Sequence, residues 1–256
     1  MGGRKWGQTP FRAQNGDRHY LWARAEHNSV PLNEMPRVAR CVVPEIPHHV
    51  TQRGNRRQVT FFSPQDYHLY KSLLKAACDR EAVGIWAYCL MPNHVHLVLL
   101  PSTPQSLSRA MKSTHQRYSW IVNRRMGWSG HLWQDRFWSC AMDERYLQSA
   151  VRYTLRNPIR AGRVEKAQQW PHSSATAHLA GRSDGVVDIG PLAQRISDWR
   201  PFLSARTEPT DVMALQRHAR LGLPVGNRNF VKRLEAQLGR QLSRGTVGRP
   251  PKDSAS

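Results

Sequence analysis

The chain has 256 residues, 39% of them apolar, which suffices for one packed domain with a small appendage. Lysine and arginine number 38 against 18 acidic residues, a formal charge of +20 that attracts polyanions over long range and makes nucleic acid the leading partner. A polybasic membrane-surface protein is the rival reading. However, no apolar run approaches the ~20 residues of a membrane span, and the N-terminus lacks an apolar segment followed by a small-residue cleavage site. No membrane partner is expected, and the location is read as cytoplasmic and nucleoid-associated.

Residues 1–34 are rich in Gly, Arg, Asn and Pro without periodicity and read as a poorly ordered arm, with Met35 an alternative start. Residues 40–52 suit one interrupted strand that Pro44 and Pro47 keep at an edge or bulge. After the loop Arg53-Gly54-Asn55-Arg56-Arg57 a short strand is expected at 59–62. Ser63, Pro64 and Asp66 then form a helix start, as cap, first-turn proline and acid at the positive end of the dipole. Tyr67, Tyr70, Leu73, Leu74, Ala77 and Cys78 follow at helical spacing, to about residue 82. Strands at 85–90 and 94–100, joined by Met91-Pro92-Asn93, make a hairpin. A second helix at 105–125 has an apolar stripe and a basic opposite side. Residues 132–141 are extended and aromatic. A third helix begins near Asp143 and stops at Asn157, because the residue before Pro158 is pushed away from helical angles. Cys41, Cys78, Cys89 and Cys140 show neither Cys-x-x-Cys nor zinc-finger spacing and read as reduced, buried thiols.

This order belongs to an α+β fold, a ferredoxin-like antiparallel sheet with helices packed on one face. The composition changes near residue 190, which divides the chain into 1–34, a main domain at 35–190, and a basic helical region at 191–256. In the last, helices at 211–221 and 227–242 read either as a helix-turn-helix entering DNA or as two helices docked on the main domain. The tail Gly248-Arg249-Pro250-Pro251-Lys252 reads as a minor-groove contact or an inert extension.

Two stretches carry chemistry. In Asn93-His94-Val95-His96-Leu97, strand alternation points His94 and His96 to one face and Val95 to the other, which makes a metal clip; a pair of structural histidines is the competing reading. Histidine-triad hydrolases require a third histidine where this chain has Val98, and a zinc deaminase would need the missing Cys-x-x-Cys. On the third helix Tyr153 lies between an apolar face (Leu147, Val151, Thr154) and a basic one (Ser149, Arg152, Arg156), with Asn157 one turn on and about 40° around the axis. A phenol of ordinary pKa about 10 needs a base or positive charge to act as a nucleophile, for which Arg152 and Arg156 are the candidates. A tyrosine that only packs its ring is the alternative, and Tyr118 and Tyr146 compete for the role.

His94-Val95-His96 has the His-hydrophobic-His form of the HUH endonucleases. The chain further resembles their single-tyrosine insertion-sequence branch, the REP-associated tyrosine transposases, in four stretches. These are His48-His49-Val50-Thr51-Gln52-Arg53-Gly54-Asn55-Arg56, Met91-Pro92-Asn93-His94-Val95-His96-Leu97, Gly130-His131-Leu132-Trp133-Gln134-Asp135-Arg136-Phe137, and Tyr153-Thr154-Leu155-Arg156-Asn157-Pro158-Ile159-Arg160-Ala161-Gly162. Their order and spacing match across roughly 36–180.

The resemblance implies a metal-dependent endonuclease and strand transferase of single-stranded, hairpin-containing DNA such as REP-like palindromes, active in DNA transposition. In it His94, His96 and Asn157 bind a divalent metal, Mg²⁺ or Mn²⁺, and Tyr153 attacks the scissile phosphate to form a 5′-phosphotyrosine link. Two imidazoles and a neutral amide leave positions open for phosphate and water. Arg53, Arg56, Arg57, Lys112 and Arg136, with Arg152 and Arg156, would contact DNA, and Trp133 or Trp138 would stack bases or belong to the core. A regulator that lost the chemistry and a nuclease that uses water are the other readings. Monomer and homodimer both stay open.

Overall fold

The strands β2 (Val83–Met91) and β3 (His94–Pro101) carry apolar residues on both alternate sets, the mark of strands covered on both faces. The computed structural model describes residues 40–242; the N-terminal arm at 1–34 and the basic tail lie outside the described residues. In chain order β1 (His48–Arg53) leads to α1 (Pro64–Arg80), the β2–β3 hairpin, α2 (Ser106–Met126) and β4 (Trp138–Ala141). The sheet order is β2-β3-β1-β4, antiparallel throughout, which is the ferredoxin-like arrangement.

The expected strand at 40–52 pairs only from His48, as β1, and the one at 59–62 does not form. Residues 44–46 turn, and pairing starts only after Pro47, since prolines remove ladder donors. Residues 59–62 are unpaired; the Thr60 and Phe61 N–H groups both donate to the Pro92 carbonyl (2.8 and 3.1 Å), so this segment braces the tip of the hairpin.

Helices cover both faces of the sheet, not one. Val50, Val95, Leu97 and Leu99 pack against α1 and α2. Ala87, Val98 and Cys140 face the other way, onto Leu147, Ala150 and Val151 of α3 (Glu144–Leu155). The side of β3 that bears His94 and His96 is therefore the side that α3 covers. α1 and α2 are tied by Asp66, whose carboxylate takes two bonds from the Arg125 guanidinium (2.6 and 3.0 Å) and the backbone N–H of Phe62 and Ser63 (2.8 and 3.0 Å).

The expected helix stop before Pro158 is a joint. Arg156 leaves helical angles (φ −89°, ψ 0°), and α4 (Asn157–Arg160) restarts at once with Pro158 in its first turn, where a missing N–H is harmless. Beyond it come α5 (Ala175–Ala180), α6 (Gly190–Ala193), α7 (Trp199–Ser204), α8 (Pro209–Leu221) and α9 (Arg228–Leu238). Leu192, Leu203, Leu215 and Ala219 share a core with α3, so the composition change near 190 marks no separate body. Phe230 and Leu234 pack with Cys41, Val43 and Ala141. The apolar faces of α8 and α9 are thus spent on docking, the second of the two readings for this pair. α9 ends four residues early, at a left-handed Gly239 (φ 61°). All four cysteines are buried free thiols. Among the described residues no helix is long and apolar enough to cross a membrane.

Candidate active site

The strand register assembles the site. Arg53 pairs with His94, Thr51 with His96 and His49 with Val98 across the β1–β3 ladder, so alternate residues of both strands project from one face. The His94 and His96 rings lie edge to face with centroids 5.0 Å apart. α3 lowers Tyr153 onto them, its ring centroid 5.1 Å from that of His96 and 5.9 Å from that of His49. Asn157, at the joint, lies beside His94 and raises its pKa.

Each histidine has a partner that fixes its ring. His94 Nδ1 lies 2.6 Å from the Asn93 side-chain oxygen and donates to it, which leaves the lone pair on Nε2. His96 Nδ1 lies 3.2 Å from His49 Nε2, with the two rings stacked 5° from parallel. Burial, followed by the charge of Arg53, pushes the His94 pKa down to about 3 against the raising effect of Asn157. Burial, then His94 and His49, push His96 well below the usual imidazole range. Both rings are therefore neutral near neutral pH, the state a metal ligand requires.

These residues fit a divalent cation. Among the described residues no cluster of three His, Cys, Asp or Glu could hold a metal ion; the histidine pair has the Asn157 amide beside it as a neutral donor. That amide is buried, with Nδ2 lacking any partner.

The phenolic oxygen of Tyr153 accepts two hydrogen bonds, from Arg160 (3.1 Å) and from the Gln216 amide on α8 (3.0 Å). The Arg160 guanidinium also lies 4.7 Å from the centre of the tyrosine ring. Positive charge at the phenol thus comes from Arg160, not from Arg152 and Arg156. Arg152 donates to the Phe202 carbonyl and stacks on that ring, and Arg156 bonds the carbonyls of Leu203 and Ser204, so both guanidinium groups hold α7. Tyr118 is fully buried on the opposite side of the sheet, donating to the Thr60 carbonyl (2.6 Å). Tyr146 packs against the α3 core under Arg145.

Of the other predicted residues, Arg53 is at the site, its guanidinium pKa lowered by burial and then by Arg57, with Tyr153, Arg220 and Arg160 also within electrostatic reach. Arg56 and Arg57 are exposed on the adjoining turn, and Arg136 is exposed before β4. Lys112 is exposed on α2, on the far side of the sheet from the histidines. Trp133 is a core residue, and Trp138 packs at the core edge with Arg220 over its ring.

Sequence reasoning missed His49, Arg160 and Gln216. Arg160 is seven residues, two turns, from Tyr153, and that spacing would have found it had the helix not been ended at Pro158. His49 shares a face with Arg53 by alternation, but only the register brings it to His96. Nothing local in sequence marks Gln216.

A ferredoxin-like sheet thus presents a His-x-His pair to a tyrosine on a covering helix. Residues 42–157 match the family model described as "Transposase IS200 like". A Haemophilus influenzae protein assigned to the REP-associated tyrosine transposases is 26% identical over 116 residues, covering 41% of this chain and 66% of that protein. The REP-associated tyrosine transposase of Escherichia coli is 25% identical over 127 residues, 49% of this chain and 72% of its own length. The fold is also that of a solved REP-associated tyrosine transposase bound to a REP hairpin, with a TM-score of 0.51 at 20% identity over 60% of this chain and 90% of that one.

Proposed function

We propose that the chain is a metal-dependent endonuclease and strand transferase of single-stranded DNA carrying a hairpin, with Tyr153 as the nucleophile. The observation that carries the reading is the Tyr153 phenol seated beside His96 with two N–H donors on its oxygen. Its context supports it: an IS200-like transposase family match over residues 42–157, relatives assigned to the REP-associated tyrosine transposases, and a net charge of +20.

His94, His96 and Asn157 would hold Mg²⁺ or Mn²⁺, which supplies electrophilic polarisation of the scissile phosphate. The Tyr153 oxygen forms a bond to phosphorus while the P–O3′ bond breaks, so the phenolic proton is lost and the departing 3′ oxygen gains one. Arg160 and Gln216 stabilise charge on the phenolic oxygen, as preorganised donors do in a dry site. The 5′-phosphotyrosine ester conserves the bond energy of the diester, and a 3′-hydroxyl can attack it to rejoin a strand with Tyr153 as leaving group. Arg53 flanks the same face and is suited to a backbone phosphate.

The test is a hairpin oligonucleotide labelled in turn on each side of the cut and incubated with the full chain and Mn²⁺. The reading predicts that the fragment 3′ of the cut stays on denatured protein and that the other fragment ends in a free 3′-hydroxyl. Cleavage without adduct would assign the attack to water, and binding without cleavage would make the chain a regulator on the same fold.

A further inference from the structure

Six large hydrophobic side chains are exposed among the described residues, and five of them are found on two neighbouring segments. Val59 and Phe62 lie on the 54–62 loop; Trp120, Met126 and Trp128 lie on the last two turns of α2 and the turn after it. Trp120 is 60% exposed and Trp128 45%. Phe62 and Trp128 meet edge to face at 5.5 Å, and Arg124 sits 5.3 Å from the centre of the Trp120 ring. None of the three aromatics belongs to a core cluster; α2 already buries Met111, Thr114, Tyr118 and Val122.

The surroundings are cationic. α2 carries Arg109, Lys112, Arg117, Arg124 and Arg125 and no acidic residue. Arg117 and Arg124 stand three residues before and four after Trp120, on the same exposed face. A second copy of this chain would set like charge against like charge here, and an apolar protein partner would have to desolvate the arginines. A strand of unpaired nucleotides supplies flat π faces for the rings and phosphates for the guanidinium groups.

The patch is also joined to the site. The 54–62 loop leaves β1 directly after Arg53, passes the exposed Arg56 and Arg57, and is bonded to the residue before His94: Gly54 N–H donates to the Asn93 carbonyl (2.8 Å) and the Asn93 amide to the Arg57 carbonyl (3.0 Å). We propose that Phe62, Trp120 and Trp128 form a stacking platform for unpaired bases of the single strand that enters or leaves the tyrosine site, with Arg117 and Arg124 on its phosphates. The proposal rests on the DNA-strand reading above.

The test uses the full chain and two fluorescein-labelled single strands of equal length, one of thymidines and one of abasic sites. Trp120→Ala and Trp128→Ala should each weaken the thymidine strand about tenfold, the effect of losing one base–aromatic stack, with an unchanged slope of affinity against salt because no charge is removed. Trp128→Phe should restore most of the loss. On the abasic strand the variants should bind as the wild type does. Variants that match the wild type on thymidines, or that lose equally on both strands, overturn the platform. So does a concentration-dependent dimer that Trp120→Ala dissociates without altering DNA affinity. Failure of the wild type to bind either strand would instead remove the DNA-strand reading itself.

Discussion

His49→Phe isolates one hydrogen bond behind the proposed metal site. The His49 ring is fully buried, lies 5.4 Å from the His96 ring in a parallel stack, and makes a side-chain bond only through Nε2, at 3.2 Å; its Nδ1 has no partner. Phenylalanine keeps the stacked ring and deletes that nitrogen. His96 then has two options. It can keep its proton on Nδ1, leaving a buried donor unsatisfied at a cost of about 1–3 kcal/mol. Alternatively, it can move the proton to Nε2, which removes the lone pair that would hold the proposed cation. Either route weakens metal binding, and losses behind metal ligands run about 10–100-fold. Mn²⁺ titrations, by calorimetry on the protein and by cleavage of a hairpin strand, should show half-saturation raised by that factor, with cleavage at saturating Mn²⁺ largely retained. An unchanged Mn²⁺ requirement in a folded His49→Phe protein would refute the positioning role of His49.

Three further outcomes are expected. His94→Ala or His96→Ala should abolish divalent-metal-dependent cleavage yet leave hairpin affinity within about threefold, since phosphate contacts dominate binding; equal loss of binding and of melting temperature would make the pair structural. Gln216→Leu removes one of two donors to the Tyr153 oxygen and should slow adduct formation about 100-fold at unchanged DNA affinity, by the usual worth of such a donor, whereas an unaltered rate would confine Gln216 to packing. Burial opposes ionisation of Asp66, but Arg125 and the N–H groups of Phe62 and Ser63 outweigh it and depress its pKa. The stability this contributes is present above the unfolded carboxyl value and is lost as pH falls through the folded one. Asp66→Asn should therefore lower the melting temperature at pH 7 by roughly 4–8 °C, for about 2 kcal/mol, and the gap should close in acid; a gap independent of pH contradicts the ion pair.

Much of the site was legible because strands and helices have fixed periods. Alternation alone put His94 and His96 on one face, and the tight Met91-Pro92-Asn93 link fixed the hairpin that carries them. Tyr153 and Asn157 were paired by one helical turn, a relation that survives the joint at Arg156. What sequence could not supply was register and long-range docking. His49 reaches His96 only because β1 pairs with β3 as it does, and Gln216 reaches Tyr153 only because α8 packs on α3. That packing is anchored by Asp211, which is buried and bonded to Ser149 (2.6 Å) and Arg145 (2.7 Å). Arg152 and Arg156 show the converse error: their helical face was read correctly as polar, but α7 covers it and uses both guanidinium groups on its carbonyls. The second helix layer was implied by the doubly apolar β2 and β3 and was overlooked because the ferredoxin-like pattern accounts for only two helices.

The phenolic oxygen of Tyr153 is the proposed nucleophile, and Tyr153→Phe removes it alone. The substitution deletes one atom and two accepted hydrogen bonds while the ring stays against His96. With hairpin-containing single strand and Mn²⁺, the account predicts that Tyr153→Phe forms no denaturation-resistant adduct and makes no cut, while Tyr118→Phe and Tyr146→Phe do both. Cleavage by Tyr153→Phe at the wild-type rate would contradict it, and would transfer the attack to water or another tyrosine.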